Sequence, residues 1–247
     1  MFGKRQVATL VAEFLGTSAL TLLILSVQRS TIGVPFFVAI AAGLTVTLMV
    51  FAVGRVSGGY FNPALVIGMW TARKINTVTS VLYIIAQMLG AWAAYGLYTY
   101  YVNNTLQPVG GDFSGRVLTA EIIGTAIFAF AVAAAVYQRA KIGLFAAMAG
   151  LGLTIGIVSA SAASLGLLNP AVAFGIRAWV LGTYVLGPII GAVIGVQLYS
   201  LLFADTAVAE EEAMESKTVA AKTSAPATKA KAKKAPAKKK PAAKKKK

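Results

Sequence analysis

Apolar residues gather into long runs along this 247-residue chain, and the charged residues fall almost entirely between those runs or after the last of them. A helical bilayer crossing takes about 20 predominantly apolar residues. Six runs meet that length, at 7–27, 35–54, 78–101, 117–137, 143–161 and 182–203. Two others, at 63–72 and 170–180, do not, because a helix of about ten residues spans only about 15 Å, half of a hydrocarbon core. The pattern predicts six transmembrane helices and two re-entrant half-helices.

The pattern is also duplicated. Ala12-Glu13-Phe14-Leu15-Gly16-Thr17 returns as Ala120-Glu121-Ile122-Ile123-Gly124-Thr125, 108 positions later, and Asn62-Pro63-Ala64 returns as Asn169-Pro170-Ala171, 107 positions later. Leu89-Gly90-Ala91 is echoed by Ile190-Gly191-Ala192. The repeats, about 7–101 and 117–203, each contain three crossings, an odd number, so the second enters the membrane upside down relative to the first. Inverted repeats of this kind meet near the bilayer midplane, and functional sites form where they meet. The expected fold class is an all-α membrane protein with six transmembrane helices and two re-entrant half-helices in an inverted repeat, occupying residues 1–203.

Composition sharpens the class. Only 13% of residues are charged, against about 25% in soluble domains. The formal net charge of +15 would suit a nucleic-acid binder, yet thirteen of the 23 Lys and Arg lie in the last 44 residues. That segment, 204–247, is rich in Ala, Lys and Pro and lacks the apolar content to fold, so it is expected to be a disordered cytoplasmic tail. Contact with anionic lipid is its added capacity, and no specific nucleic acid is expected as a partner. In the connections, Lys4, Arg5, Arg55, Arg73, Lys74, Arg139 and Lys141 fall on one side of the membrane and Arg29, Arg116 and Arg177 on the other. By the positive-inside rule this puts both termini in the cytoplasm, in a plasma or cell inner membrane. The first apolar run lacks a clear cleavage site and reads as a retained span. The chain has no His and no Cys, which removes the usual proton shuttle and the commonest metal and thiolate ligands. No catalytic residue, metal ligand or cofactor is assigned, and the chain does not read as an enzyme.

Proline at the first turn of a helix has its φ preset and needs no N–H partner, and an Asn before it is a good N-cap whose amide can still face a pore. Asn62-Pro63-Ala64 and Asn169-Pro170-Ala171 open half-helices that enter from opposite sides, so two positive helix ends aim at one midplane point, where they orient water and repel cations. One such tripeptide is an ordinary loop cap; two at the repeat offset mark a candidate pore. Glu13 and Glu121 are the acids within the predicted spans. An intramembrane carboxylate reads either as a proton relay or as the acceptor for loop N–H groups that have no water to bond, and the symmetric placement with no His favours the acceptor. Gly16, Gly43, Gly90, Gly124, Gly150, Gly152 and Gly191 read as close helix contacts. Trp70, Trp92, Trp179 and the Tyr98, Tyr100, Tyr101 cluster read as interfacial anchors.

Ser57-Gly58-Gly59-Tyr60-Phe61-Asn62-Pro63-Ala64 resembles the first signature of the aquaporin, or major intrinsic protein, family, and Leu168-Asn169-Pro170-Ala171-Val172-Ala173-Phe174-Gly175 resembles the second. Segments at 12–17, 83–87 and 187–192 are similar to family segments as well, and the resemblance covers about residues 7–203. It implies a passive channel for water or small uncharged solutes, a homotetramer with one pore per subunit, and a supporting role for the two glutamates. It also implies a selectivity filter at four positions, which counting from the asparagines places at Ala42, Ile157, Gly166 and Val172. Most members carry an aromatic at the first and an Arg at the last, so this filter is atypical. It predicts a wider, more apolar outer mouth, with glycerol-like polyols or urea within range. Arg177, five residues past Val172, sits too far around a regular helix to replace the Arg. Two alternatives accompany the passive channel: an ion- or proton-leaking channel, and a structural membrane protein with an occluded pore.

Overall fold

The computed structural model describes residues 3–28, 34–109 and 111–205; Arg29 and residues 206–247 of the expected tail lie outside them. Among the described residues the elements are α1 (Lys4–Gln28), α2 (Pro35–Ser57), the short α3 (Pro63–Thr71), α4 (Thr77–Val102), α5 (Gly115–Tyr137), α6 (Ile142–Ala160), the short α7 (Pro170–Gly175), α8 (Leu181–Tyr184) and α9 (Leu186–Leu202). Six crossings are long and apolar enough for a membrane, the last being α8 and α9 together. Pro35, Pro63 and Pro170 each stand in the first turn of their helices, where the missing N–H is harmless. Asn76 and Ser114 cap α4 and α5 by accepting the N–H groups of Thr79 and Val117. Because the crossings alternate in direction, Lys4, Arg55, Arg73, Lys74, Arg139 and Lys141 collect at one end of the bundle, the basic end, and Arg116 and Arg177 at the other.

Two elements depart from the sequence expectation. The final crossing, expected to be continuous over 182–203, breaks at Val185 (φ −114°, ψ −58°), since Pro188 has no N–H to offer the Tyr184 carbonyl one turn earlier. The second half-helix, expected over 170–180, stops at Gly175. Arg177 turns left-handed (φ +63°), and the Ala178 N–H bonds the Ala173 carbonyl at 2.8 Å, which closes the helix as a Schellman motif. Arg73 (φ +57°) ends α3 the same way, with the Lys74 N–H on the Met69 carbonyl at 2.9 Å. A cation at a helix C-terminus gains from the helix dipole, which offsets part of the cost of left-handed backbone in a non-glycine residue.

The helices cross closely where side chains vanish. Gly90 on α4 lies against the Phe14 carbonyl of α1, and its repeat partner Gly191 on α9 against the Ile122 carbonyl of α5. Between α2 and α6 the contact is reciprocal, Gly43 against Thr154 and Gly150 against Thr47. There the Thr47 hydroxyl donates to the Ala146 carbonyl at 3.3 Å and the Thr154 hydroxyl to the Ala39 carbonyl at 3.2 Å. Gly16 serves a different purpose from the helix contact expected of it: a methyl there would overlap the ring of Phe61, a loop residue. Gly124 touches the Gly156 carbonyl of α6 and also leaves room for Leu168, where a methyl would come within 2.8 Å of Cδ2. Tyr98 is turned inward and buried, unlike the exposed Tyr100, Tyr101 and three Trp, so it is no interfacial anchor.

Gly16 therefore gives a direct test of how the loop seats on α1. Gly16→Ala should lower stability by about 1–3 kcal/mol through overpacking, a fall of roughly 2–10 °C in apparent Tm for a chain of this size. Gly96→Ala, also within a helix but with open space where its methyl would go, should melt at or above the wild-type temperature. Equal melting of the two variants in detergent would refute the seating.

Candidate pore

The loops after α2 and before α7 carry non-helical backbone deep into the bundle, where its polar groups must bond within the protein. Glu13, fully buried on α1, takes up the first loop. Its Oε1 accepts from the Ser57 hydroxyl (2.6 Å) and the Tyr60 N–H (3.1 Å), and its Oε2 from the Phe61 N–H (2.7 Å) and Gln87 Nε2 (2.7 Å). Glu121, fully buried on α5, takes up the second: its Oε1 accepts from the Ser164 hydroxyl and the Leu167 N–H (3.0 Å), and its Oε2 from the Leu168 N–H (2.7 Å). Each carboxylate sits three residues before the glycine that makes room for the same loop, which gives the repeated Glu-x-x-Gly a physical reason.

The residue so held is strained. Phe61 (φ +48°) and Leu168 (φ +51°) are left-handed although bulky, a conformation that costs on the order of 1–3 kcal/mol unless the surroundings impose it. The strain turns their carbonyls across the repeat boundary. The Phe61 carbonyl accepts from Asn169 Nδ2 at 2.9 Å, and the Leu168 carbonyl accepts from Asn62 Nδ2 at 2.8 Å. Each Asn Oδ1 meanwhile caps its own half-helix, accepting the Ala64 N–H (2.9 Å) or the Ala171 N–H (3.0 Å). An Asn amide has two N–H groups, so each keeps a second donor beyond its bond to the opposite loop.

Both asparagines border one enclosed central cavity, with Leu20, Ile24, Val46, Tyr60, Phe61, Phe128, Leu153, Ile157 and Leu167 forming the rest of its wall. Its free volume of about 10 Å³ is near the space of a single water. Of the four filter positions, Ile157 borders this cavity. Gly166 (φ +65°) packs on it, where a methyl would stand 3.0 Å from the Ile157 carbonyl oxygen. Ala42 and Val172 present no accessible surface, and the cavity wall does not include them. Arg177 is away from this cavity: its guanidinium donates to the Leu106 carbonyl and lies 5.0 Å from the Trp179 ring and 6.0 Å from that of Tyr95. Sequence reasoning gave no role to Phe61, Leu168, Ser57, Ser164 or Gln87; the signal available was their position beside the repeated asparagines or, for Gln87, one helical turn past Tyr83.

Six apolar crossings, two opposed half-helices and a narrow internal cavity at their tips define a membrane channel built from an inverted repeat. The major intrinsic protein family model matches residues 3–199. The chain is similar to an aquaporin Z of Photorhabdus laumondii, 34% identical over 226 residues, which span 79% of this chain and 97% of the relative. It is also similar to an aquaporin AqpM of Methanothermobacter thermautotrophicus, 30% identical over 243 residues, covering 79% and 97%. Among solved structures, the aquaglyceroporin of Plasmodium falciparum shares the fold, with a TM-score of 0.68 at 20% identity over 82% of this chain and 98% of that one. The chain belongs to the major intrinsic protein family. Members of that family are channels rather than enzymes.

Removing Glu13 tests what holds the loop. Glu13→Ala strands four donors, and each unmet buried donor costs about 1–3 kcal/mol, so a loss of at least about 4 kcal/mol and failure to fold in most preparations is expected. Glu13→Gln keeps one oxygen and turns an NH₂ against two donors, for a smaller loss of about 2–4 kcal/mol. Apparent Tm and osmotic water flux together check this. Normal melting of Glu13→Gln with loss of a strongly pH-dependent flux would instead assign Glu13 to proton transfer.

Proposed function

We propose that the chain is a passive channel for water and small uncharged solutes, glycerol-like polyols and urea among them. The observation that carries this is the central cavity. Two amides, each fixed by a bond to the opposite repeat, meet there inside a wall whose other side chains, Tyr60 apart, are apolar. A water entering finds the paired amide donors at one level, and most of the remaining wall is apolar, so it is oriented without being trapped. A cation finds the N-termini of two half-helices, each equivalent to roughly half a positive charge, and an apolar wall that returns none of its hydration energy. The names of the relatives support water as a permeant. The sequence supports both termini in the cytoplasm, at the basic end of the bundle, and the family resemblance supports a homotetramer with one pore in each subunit.

Selectivity among neutral solutes is assigned in part to Ala42, Ile157, Gly166 and Val172, toward the end of the bundle opposite the basic one. None of the four side chains carries a charge, and two are small, so the outer constriction lacks the cationic donor that narrows most members of the family. Proton exclusion then falls mainly on the two asparagines.

Stopped-flow shrinkage of proteoliposomes under water, glycerol and salt gradients tests the proposal. Water and glycerol are expected to pass and salt to be retained. Val172→Arg should lower glycerol flux about tenfold, the effect of adding a barrier of about 1.4 kcal/mol, and lower any proton leak with it. Salt passage by the wild type would mean an ion channel, and an unchanged Val172→Arg variant would place the constriction elsewhere.

A further inference from the structure

We infer that Tyr60 is a specificity-determining residue of this channel, setting how readily solutes larger than water pass the basic-end side of the asparagine pair. The inference rests on the channel reading above and adds a second, inner constriction to it.

Tyr60 stands between two spaces. It borders the central cavity with Asn62 and Asn169, and it also borders a vestibule of about 350 Å³ at the basic end, formed by Arg55, Gly58, Val136, Ala140 and neighbours on α2, α5 and α6. Among the described residues no other belongs to both walls. A solute moving from the cavity to the vestibule therefore passes this side chain. The cavity itself offers about 10 Å³, so anything larger than water needs its boundary to yield.

The ring is held at its root. The Tyr60 N–H is bonded to Glu13 at 3.1 Å, and the backbone on both sides is left-handed, at Gly58 (φ +97°), Gly59 (φ +68°) and Phe61 (φ +48°). The ring lies over Gly58 so closely that a methyl there would stand 2.6 Å from Cε2, and its centroid is 6.3 Å from that of Tyr83. Rotation of the side chain is the freedom left to it. Its hydroxyl makes no hydrogen bond among the described residues, so it is free to bond a permeant. Leu20, Ile24, Val46, Phe128 and Leu153, which share the cavity wall with it, are apolar, and Tyr60 is the one residue of that wall besides the asparagines with a polar side chain.

The inverted repeat supplies an internal comparison. Leu167 is the equivalent of Tyr60, two residues before its Asn, with its N–H on Glu121 as that of Tyr60 is on Glu13. It borders the same cavity. The two loops share left-handed backbone at Gly59 and Gly166 and at Phe61 and Leu168, and the same N–H bond to a glutamate at this position, yet differ in its side chain, and the larger, polar one stands on the vestibule side.

The test is the ratio of glycerol to water permeability in proteoliposomes, measured for the wild type, Tyr60→Phe, Tyr60→Leu and Tyr60→Ala at matched protein density, with melting temperature as a check on folding. Tyr60→Ala should raise the ratio about tenfold, and Tyr60→Leu, which copies the side chain of the other repeat, by several-fold. Tyr60→Phe keeps the bulk and should leave the ratio within about twofold while lowering water flux. Should Tyr60→Ala fail to fold, the Leu and Phe variants decide. A wild type closed to both permeants with conducting Leu or Ala variants would support Tyr60 as the barrier. Equal ratios in all conducting variants would overturn the inference and leave the channel reading standing, whereas no flux in any folded protein would overturn both.

Discussion

Backbone that leaves the helical form inside a membrane has no water to bond, so its N–H groups must find acceptors within the chain. Most of what is distinctive in this protein follows from meeting that requirement twice. Glu13 and Glu121 receive the loop N–H groups, Gly16 and Gly124 clear space for the loop side chains, and Phe61 and Leu168 are bent left-handed so that their carbonyls reach the opposite repeat. The asparagines complete the circuit, each capping its own half-helix and bonding the other loop. Neither repeat finishes its own site. One of the bonds that fix Asn62 runs to Leu168, and one of those that fix Asn169 to Phe61, so the two halves are coupled at the point where a permeant would pass.

That coupling explains why the strain is tolerated. A left-handed Phe or Leu costs on the order of 1–3 kcal/mol, while hydrogen bonds to a charged group contribute about 1.5–3 kcal/mol each. Each strained residue has its N–H on a carboxylate and its carbonyl on an amide. The carboxylate bond alone is of the same size as the strain, and the bond to the opposite amide adds to it, so each strained residue is held most firmly while both of its partners are present. The arrangement also rewards rigidity, because a loop that relaxed would leave a buried carboxylate and an amide unpaired together.

Much of the fold was legible in the sequence because membrane helices announce themselves by length: six runs of about 20 apolar residues and two of half that leave few arrangements. The early stop of α7 was not legible, since an Arg at a left-handed helix terminus carries no signal of the kind Gly does. Nor was the break at Val185, where Pro188 acts one turn upstream of itself. At the site, repetition drew attention to Asn62, Asn169, Glu13 and Glu121, but it could not show that the bonds cross between repeats. That depends on positive φ at Phe61 and Leu168, two bulky residues in which such a backbone is uncommon. Of the counted filter positions, Ile157 borders the cavity, while Ala42 and Val172 have no exposed surface. Residue counting fixes a place along a helix but does not fix which neighbours close over it.

The central claim is that the crossed asparagines form the passage. Its most direct measurement is the unit water permeability of Asn62→Leu and Asn169→Leu in proteoliposomes, with the inserted protein counted and its melting recorded. Each variant loses a cap and a crossing bond and fills the cavity with an apolar side chain. The account predicts that water flux in either falls to about a tenth of wild type or less, with the folded protein still inserted. Wild-type flux through a stably inserted variant of either asparagine would contradict it.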